Sequence, residues 1–270
     1  MLANTRMYSV NPATKAAWQQ VLRWCLQRAD LAWPVIDHDP PASISELWAR
    51  GDLGVVQMCG LPFSVRDPAP RLIAAPLPSP ARYGGRAVYF SDLAVRADAP
   101  FERLEDTYGR RIGWTLPDSQ SGYFALRYFL QQQRAGRPDP TQPLYGEVVP
   151  HLVNPRGVIQ ALLDGRIDVG PLDSYSHDLI RHTEPDIARR IRVIAQTTPT
   201  AMPPFVCTDA SASDDDLQRL RTAFLSVHAE PTLGEARATV LLDRFVAMQP
   251  ADYALTRQRH DEVLAAPERW

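Results

Sequence analysis

Cysteine is scarce in this chain and poorly placed for chemistry. The three present, Cys25, Cys59 and Cys207, form no Cys-x-x-Cys pair, so neither a disulfide framework nor a zinc site is indicated. They read as buried or incidental thiols of a reducing compartment. No stretch of eighteen apolar residues occurs, which excludes a membrane-spanning helix. The net charge of −2 leaves no basic excess for nucleic acid, and no helix-turn-helix pattern precedes the rest of the chain. Residues Met1 to Tyr8 lack the apolar core and small-residue cleavage site of a secretory signal. The expectation is therefore a cytoplasmic protein if Met1 is the native start, and a periplasmic one if an export signal is missing from the chain. Glycine is also sparse, with 14 residues against 25 prolines, a ratio that favours rigid loops and short connections. What remains is an ordinary globular composition, 45% hydrophobic and 22% charged over 270 residues, enough for one large domain or two modest ones.

The order of patterns is alternating. Tyr8 to Val10 reads as a weak first strand, Trp18, Val21, Leu22, Cys25 and Leu26 fall on one helix face, and Trp33 to Ile36 reads as a short strand. Ser43, with Glu46 following, predicts a capped short helix stopped at Gly51, and Leu53 to Gly60 a strand covered on both faces. Strands at Leu72–Leu77 and Ala87–Arg96 follow. A second alternation then begins: helix-like Phe101–Tyr108, strand Ile112–Leu116, a helix from Tyr123, strand Gly146–Leu152, helix Gly157–Leu163 and strand Ile167–Leu172. Further on come a helix around Tyr175–Arg181, a strand at Ile191–Thr198, the proline loop Pro199–Pro204, a strand from Phe205 and a helix from Asp214 to Val227. Gly234–Val246 and Ala251–Leu264 are helical by pattern. This rhythm predicts an α/β protein of two lobes with parallel strands, residues 1–95 with 197–270 forming the first lobe and 96–196 an inserted second. A small-molecule cleft is expected between them, fed by loops at strand ends.

Ser119-Gln120-Ser121-Gly122-Tyr123 stands out within that order. It lies between a buried strand and a helix, and a Ser-x-Ser-Gly at a helix start offers hydroxyls, unpaired backbone N–H groups and the positive end of the helix to one small anion. The same residues serve equally as an ordinary N-cap. Tyr89 and Ser91, two apart on a predicted strand, share a face. Tyr8 and Gln57 sit at or near first-lobe strand ends, and Gln57 could instead fix the Cys59–Gly60 turn. Asp173 follows a second-lobe strand, where it could accept from a ligand or cap the next helix. Asp168 reads as structural.

Several phrases together resemble one family. Trp48-Ala49-Arg50-Gly51-Asp52-Leu53-Gly54-Val55-Val56-Gln57-Met58-Cys59-Gly60-Leu61-Pro62 looks like its Trp…Gln-x-Cys-Gly-x-Pro strand and turn, and Gly84 to Ser91 like its Gly…Tyr-x-Ser strand. Ser119 to Tyr123 resembles its Ser-x-Ser-Gly-Tyr helix start, and Val158 to Asp173 its Val…Gly-x-x-Asp-Val…Ile-Asp segment. The loop Thr198 to Pro204 also fits. The family is the phosphate/phosphite/phosphonate-binding proteins of ABC uptake systems, with the type II periplasmic binding protein fold, and the resemblance spans roughly residues 8 to 210. It implies a solute-binding protein, its lobes closing on a small anionic ligand, phosphate or a phosphonate-type compound, with an ABC permease as possible partner. It further implies a ligand set drawn from Ser119, Gln120, Ser121, Gly122, Tyr123, Tyr89, Ser91, Tyr8, Gln57 and Asp173. The chain departs from the family at Asn154-Pro155-Arg156-Gly157, where Pro155 replaces a usual histidine. Arg156 could then supply a guanidinium fork, with His151 as a weaker substitute.

No catalytic residue, metal or cofactor is indicated, and a monomer without nucleic-acid partners is expected. The alternative is a cytosolic enzyme or sensor on the same fold, for which His151, Asp173, Cys59 and Tyr89 are the available groups, none in a diagnostic pair.

Overall fold

A computed structural model describes residues Met1–Trp270. In chain order it contains β1 (Leu2–Asn4), α1 (Pro12–Arg28), α2 (Ile44–Ala49), β2 (Leu53–Gln57), α3 (Gly60–Val65), β3 (Arg71–Pro78), β4 (Val88–Tyr89), β5 (Ser91–Arg96), β6 (Arg111–Gly113) and α4 (Ala125–Ala135). These are followed by β7 (Glu147–Val149), α5 (Pro155–Leu163), β8 (Gly170–Asp173), α6 (Ser174–Thr183), α7 (Pro185–Ala188), β9 (Ile191–Gln196), β10 (Thr200–Ala201), β11 (Phe205–Cys207), α8 (Asp214–Ser226), α9 (Gly234–Thr239), β12 (Leu242–Val246) and α10 (Ala254–Ala265). The chain forms two compact units, one of Met1–Val88 with Ala201–Tyr253 and one of Tyr89–Thr200 with Ala254–Trp270.

The first unit is built on a five-stranded sheet ordered β1-β2-β11-β3-β12. Only β1 and β2 run parallel, whereas β11 lies antiparallel between β2 and β3, and β12 antiparallel on β3. The expected parallel layer is thus a mixed sheet, because a strand returning from the insertion separates β2 from β3. Trp18 on α1 packs against Phe205, Phe224 and Phe245 meet at 4.8 Å edge to face, and Leu47, Trp48, Val56, Met58, Phe63 and Tyr253 form a second buried group. Helix α1 is entered through a reciprocal cap, Asn11 accepting from the Thr14 amide and Thr14 from the Asn11 amide.

Three local expectations are corrected here. Tyr8 ends a 3-10 turn, Arg6–Tyr8, and the first strand is Leu2–Asn4. Trp33 to Ile36 contributes only a bridge between Val35 and Ala3. The segment read as one helix, Gly234–Val246, turns after Thr239 into β12, whose Leu242 and Phe245 bury against β3. Amphipathic spacing cannot separate a short helix joined to an edge strand from one longer helix.

The second unit has β5 at the centre of a three-stranded antiparallel sheet, β8-β5-β9, and a parallel pair, β6 with β7. A parallel bridge between Ile112 and Val169 joins β6 to the residues leading into β8. Helix α10 belongs here: His260 packs against Phe124 with ring centroids 4.6 Å apart at a tilt of 51°, and Arg259 covers Tyr128. The tail was expected in the first lobe, and the boundary near Val95 falls inside β5. The strand expected to run from Ala87 to Arg96 breaks at Phe90, and both Tyr89 and Ser91 lie in the second unit. All three cysteines are free and buried, the first of the two readings given for them.

Candidate functional site

The second unit places its chemistry where β6 gives way to helix. Beyond Gly113 the chain runs through Trp114 and Thr115, and the Thr115 amide donates to the Gly122 carbonyl at 3.2 Å. A Cβ on Gly122 would stand 1.8 Å from Thr115 Oγ1, so only glycine lets the helix start sit against this strand end. Ser119 is the N-cap, its Oγ accepting from the Gly122 amide at 3.0 Å. Residues Gln120–Phe124 wind as a π-turn, with the Phe124 amide reaching the Ser119 carbonyl, before α4 continues. Such turns inside helices are frequent at functional positions.

Ser121 ties this helix start to the central sheet. Ser91 Oγ donates to the Ser121 carbonyl at 2.6 Å, and Ser121 Oγ donates to Asp173 Oδ2 at 3.3 Å. Asp173 Oδ1 in turn accepts from the amides of Tyr175 and Ser176 at 3.0 and 2.9 Å, making Asp173 the N-cap of α6, the second of its two expected roles. A third helix start is linked through Thr115, whose carbonyl accepts from the Val153 amide at 3.3 Å just before Asn154 caps α5. The loop entering α5 is held in an uncommon shape, with φ of 58° at His151 and 68° at Val153. A β-branched residue in that region is strained. Three helix N-termini, those of α4, α5 and α6, are therefore bonded into one cluster at strand ends. The start of α6 is already answered by Asp173 and the Phe90 carbonyl, whereas the starts of α4 and α5 bring a positive dipole end with no acid in the first turn.

Gln120 is the exceptional side chain of the cluster. It is 1% exposed, and neither its Oε1 nor its Nε2 has a hydrogen-bond partner within the protein. A buried carboxamide left so costs about 1–3 kcal/mol.

Tyr123 is committed elsewhere. Its hydroxyl accepts from Arg127 at 3.1 Å and donates to Glu268 at 3.1 Å. Burial pushes the phenol's pKa up, opposed by Arg127, and the proton that Glu268 needs stays in place. Trp114 packs edge-on to Tyr123 at 4.8 Å and stacks on Trp270, and Arg127 covers the rings of both Tyr123 and Trp270. The C-terminal residues thus strap the flank of α4. Arg156, expected as an anion fork, forms an ion pair with Glu184. His151 lies exposed with its ring edge-on to Trp114. Tyr89 and Ser91 are both buried. Asp168 is structural, as read: burial raises its pKa, but hydrogen bonds from the Arg111 side chain and amide together hold it below the usual aspartate range.

Two sequence candidates belong to the first unit. Tyr8 is 1% exposed. Gln57 donates to the Pro203 carbonyl at 3.1 Å and its own carbonyl accepts from Trp48 Nε1 at 2.9 Å. It therefore anchors the proline loop rather than the Cys59–Gly60 turn, and its Oε1 is buried without a partner.

The family described as ABC transporter, phosphonate, periplasmic substrate-binding protein matches residues 38–253. The chain belongs to this family. Among solved structures it is similar to a binding protein component of an ABC phosphonate transporter from Pseudomonas aeruginosa, at 17% identity and a TM-score of 0.80, covering 98% of this chain and 86% of that one. It is also similar to PhnD1 from Prochlorococcus marinus in complex with methylphosphonate, at 13% identity and a TM-score of 0.78, covering 98% of both chains. A Xanthomonas citri protein bound to ATP aligns at 18% identity with a TM-score of 0.64, covering 98% of this chain and 97% of that one. Identities this low speak for the fold, which is that of periplasmic binding proteins. No curated protein matches the chain. No helix is long and apolar enough to cross a membrane.

Sequence reasoning missed Thr115, Arg127 and Glu268 as partners of the serine helix. Arg127 stands four residues after Tyr123, a spacing that brings side chains together on a helix, and that signal was available. Glu268 had none, because its contact spans 145 residues.

Proposed function

We propose that this family member binds a small phosphonate-type oxyanion at the start of α4 and hands it to an ABC permease, acting as a monomer on the periplasmic side of its transport system. The observation that carries the reading is Gln120: a carboxamide buried without protein partners, next to Ser121, at a helix N-terminus whose own first turn holds no acidic residue. First-turn amides and the Gln120 side-chain N–H groups supply donors to phosphonate oxygens, the Ser121 hydroxyl turns its single proton from Asp173 Oδ2 to the ligand, and Gln120 Oε1 accepts from a protonated oxygen. Ser91 holds Ser121 in place through its backbone carbonyl. Asp173 adds a carboxylate acceptor, which suits a ligand bearing a hydroxyl or amine. The structure of a relative with methylphosphonate makes that compound the first ligand to try. Tyr89 joins the proposed set as a buried polar group of the same unit, whereas Arg156 and Tyr123 act through Glu184 and the C-terminal strap. Membership in a substrate-binding family favours this reading over an enzyme.

Calorimetric titration with methylphosphonate, phosphate and phosphite tests it. The expected result is saturable binding of one ligand per chain, weakened at least about tenfold in Ser121→Ala, since a hydrogen bond to a charged group contributes about 1.5–3 kcal/mol. Absence of heat for all three ligands overturns the assignment, and native mass spectrometry of the same sample reports whether a different molecule is already bound.

A further inference from the structure

On β5, Ser91 serves the helix cluster, and the next residue, Asp92, projects to the opposite face of the sheet. Asp92 is fully buried and accepts from Gln196 Nε2 at 2.9 Å and from His177 Nδ1 at 2.8 Å. A carboxylate can only accept, so Nδ1 bears the proton, and in the neutral imidazole Nε2 is then an acceptor. His177 is 3% exposed, yet it lines a cavity of about 450 Å³ together with Arg181, Arg189, Arg192, Pro185, Ala188, Ile191 and Val193. Every charged side chain on the wall is a cation. Arg181 stands 3.7 Å from Asp178 and Arg189 pairs with Asp186, but Arg192 donates only to the Ala99 carbonyl and has no carboxylate partner. Neither the serine cluster nor its ligand uses any of these groups.

We propose that this cavity is a second binding site, selective for small phosphate monoesters. Guanidinium groups of Arg181, Arg189 and Arg192 donate to the phosphate oxygens. His177 Nε2, its ring fixed by Asp92, accepts from the hydroxyl of a monoprotonated phosphate. Sulfate carries no such proton near neutral pH and leaves the imidazole acceptor facing an acceptor, so the site discriminates against it. Pro185, Ala188, Ile191 and Val193 provide an apolar wall for the organic part, and the volume lies in the range of small-molecule pockets.

The test is an NMR titration of the side-chain ¹⁵N signals of His177 and Arg192 with inorganic phosphate, glycerol 3-phosphate, sulfate and chloride at matched ionic strength. It is run on the wild type, on Ser121→Ala and on Arg192→Gln. The expected result is saturable shifts with phosphate and glycerol phosphate, the ester binding more tightly, at least about tenfold weaker shifts with sulfate, and loss of at least about tenfold in affinity in Arg192→Gln. The shifts persist in Ser121→Ala, and methylphosphonate binding at the serine cluster persists in Arg192→Gln. Inorganic phosphate binding as tightly as the ester would contradict the proposed ligand class. Shifts reproduced equally by sulfate or chloride, or no shift at about 10 mM phosphate ester, would overturn the second site without touching the first.

Discussion

Two serine-capped helices, one in each unit, show the same local device put to different ends. In the first unit Ser213 Oγ accepts from the Asp216 amide at 3.0 Å, and Asp214, Asp215 and Asp216 fill the first turn of α8. Their charge answers the positive end of the helix, and Arg219 closes the arrangement by binding Asp215 and Asp216. In the second unit Ser119 makes the equivalent bond to Gly122, but the first turn carries no acid and is buried. The carboxylate that reaches it, Asp173, is also the cap of α6. A helix start that its own chain neutralises is complete as protein structure. One with no acid in its own first turn, and with an unpartnered carboxamide beside it, is complementary to an anion from outside. The cap motif itself is common to both, and the difference lies in what surrounds it.

The sharpest way to break the comparison is Gly122→Ala. A methyl 1.8 Å from Thr115 Oγ1 forces the start of α4 off its strand end, and denaturant unfolding should show a loss of about 3 kcal/mol together with loss of methylphosphonate binding. Ser121→Ala should separate function from stability, raising Kd at least about tenfold while thermal unfolding changes little. Ser213→Ala should do the reverse, costing about 1 kcal/mol by denaturation with unchanged ligand affinity.

Acid provides the mildest contrast. Asp216 is held below its ordinary value of 3.8, first by its bond with Ser213, against slight desolvation, and by Arg219. Its folded-state pKa is depressed, so its contribution is present above 3.8 and is lost as pH falls through the lower folded value. Hydrogen exchange should therefore show the first-turn amides of α8 losing protection below that pH. The Gly122 amide, bonded to a serine with no first-turn carboxylate beside it, has no such dependence.

Much of this was legible in the residues. The serine phrase, its place between strand and helix, and the switch between two α/β alternations follow from spacing and composition, and the capping of α2 by Ser43 follows from hydroxyl chemistry. Strand neighbours did not follow. Nothing local in Phe205–Cys207 says that it inserts antiparallel between β2 and β3, because that pairing is decided by burial over a long sequence separation. The same limit hid α10, whose contacts with α4 depend on tertiary packing, and the Asp92–His177 pair, whose members lie 85 residues apart. The partner of Arg156 was hidden for a related reason: a guanidinium at a helix start invites an anion, and Glu184 supplies one from within the chain.

The central claim is that the start of α4, with Gln120 as its unpartnered carboxamide, is an oxyanion site. It is tested most directly by NMR titration with methylphosphonate, following the backbone amides of Gln120, Ser121 and Gly122 and the Gln120 side-chain NH₂ alongside the amides of Asp214 to Asp216. The account predicts that the Gln120 carboxamide and the α4 amides shift together and saturate while the α8 amides stay fixed. Saturable binding that leaves the Gln120 carboxamide unmoved would contradict it.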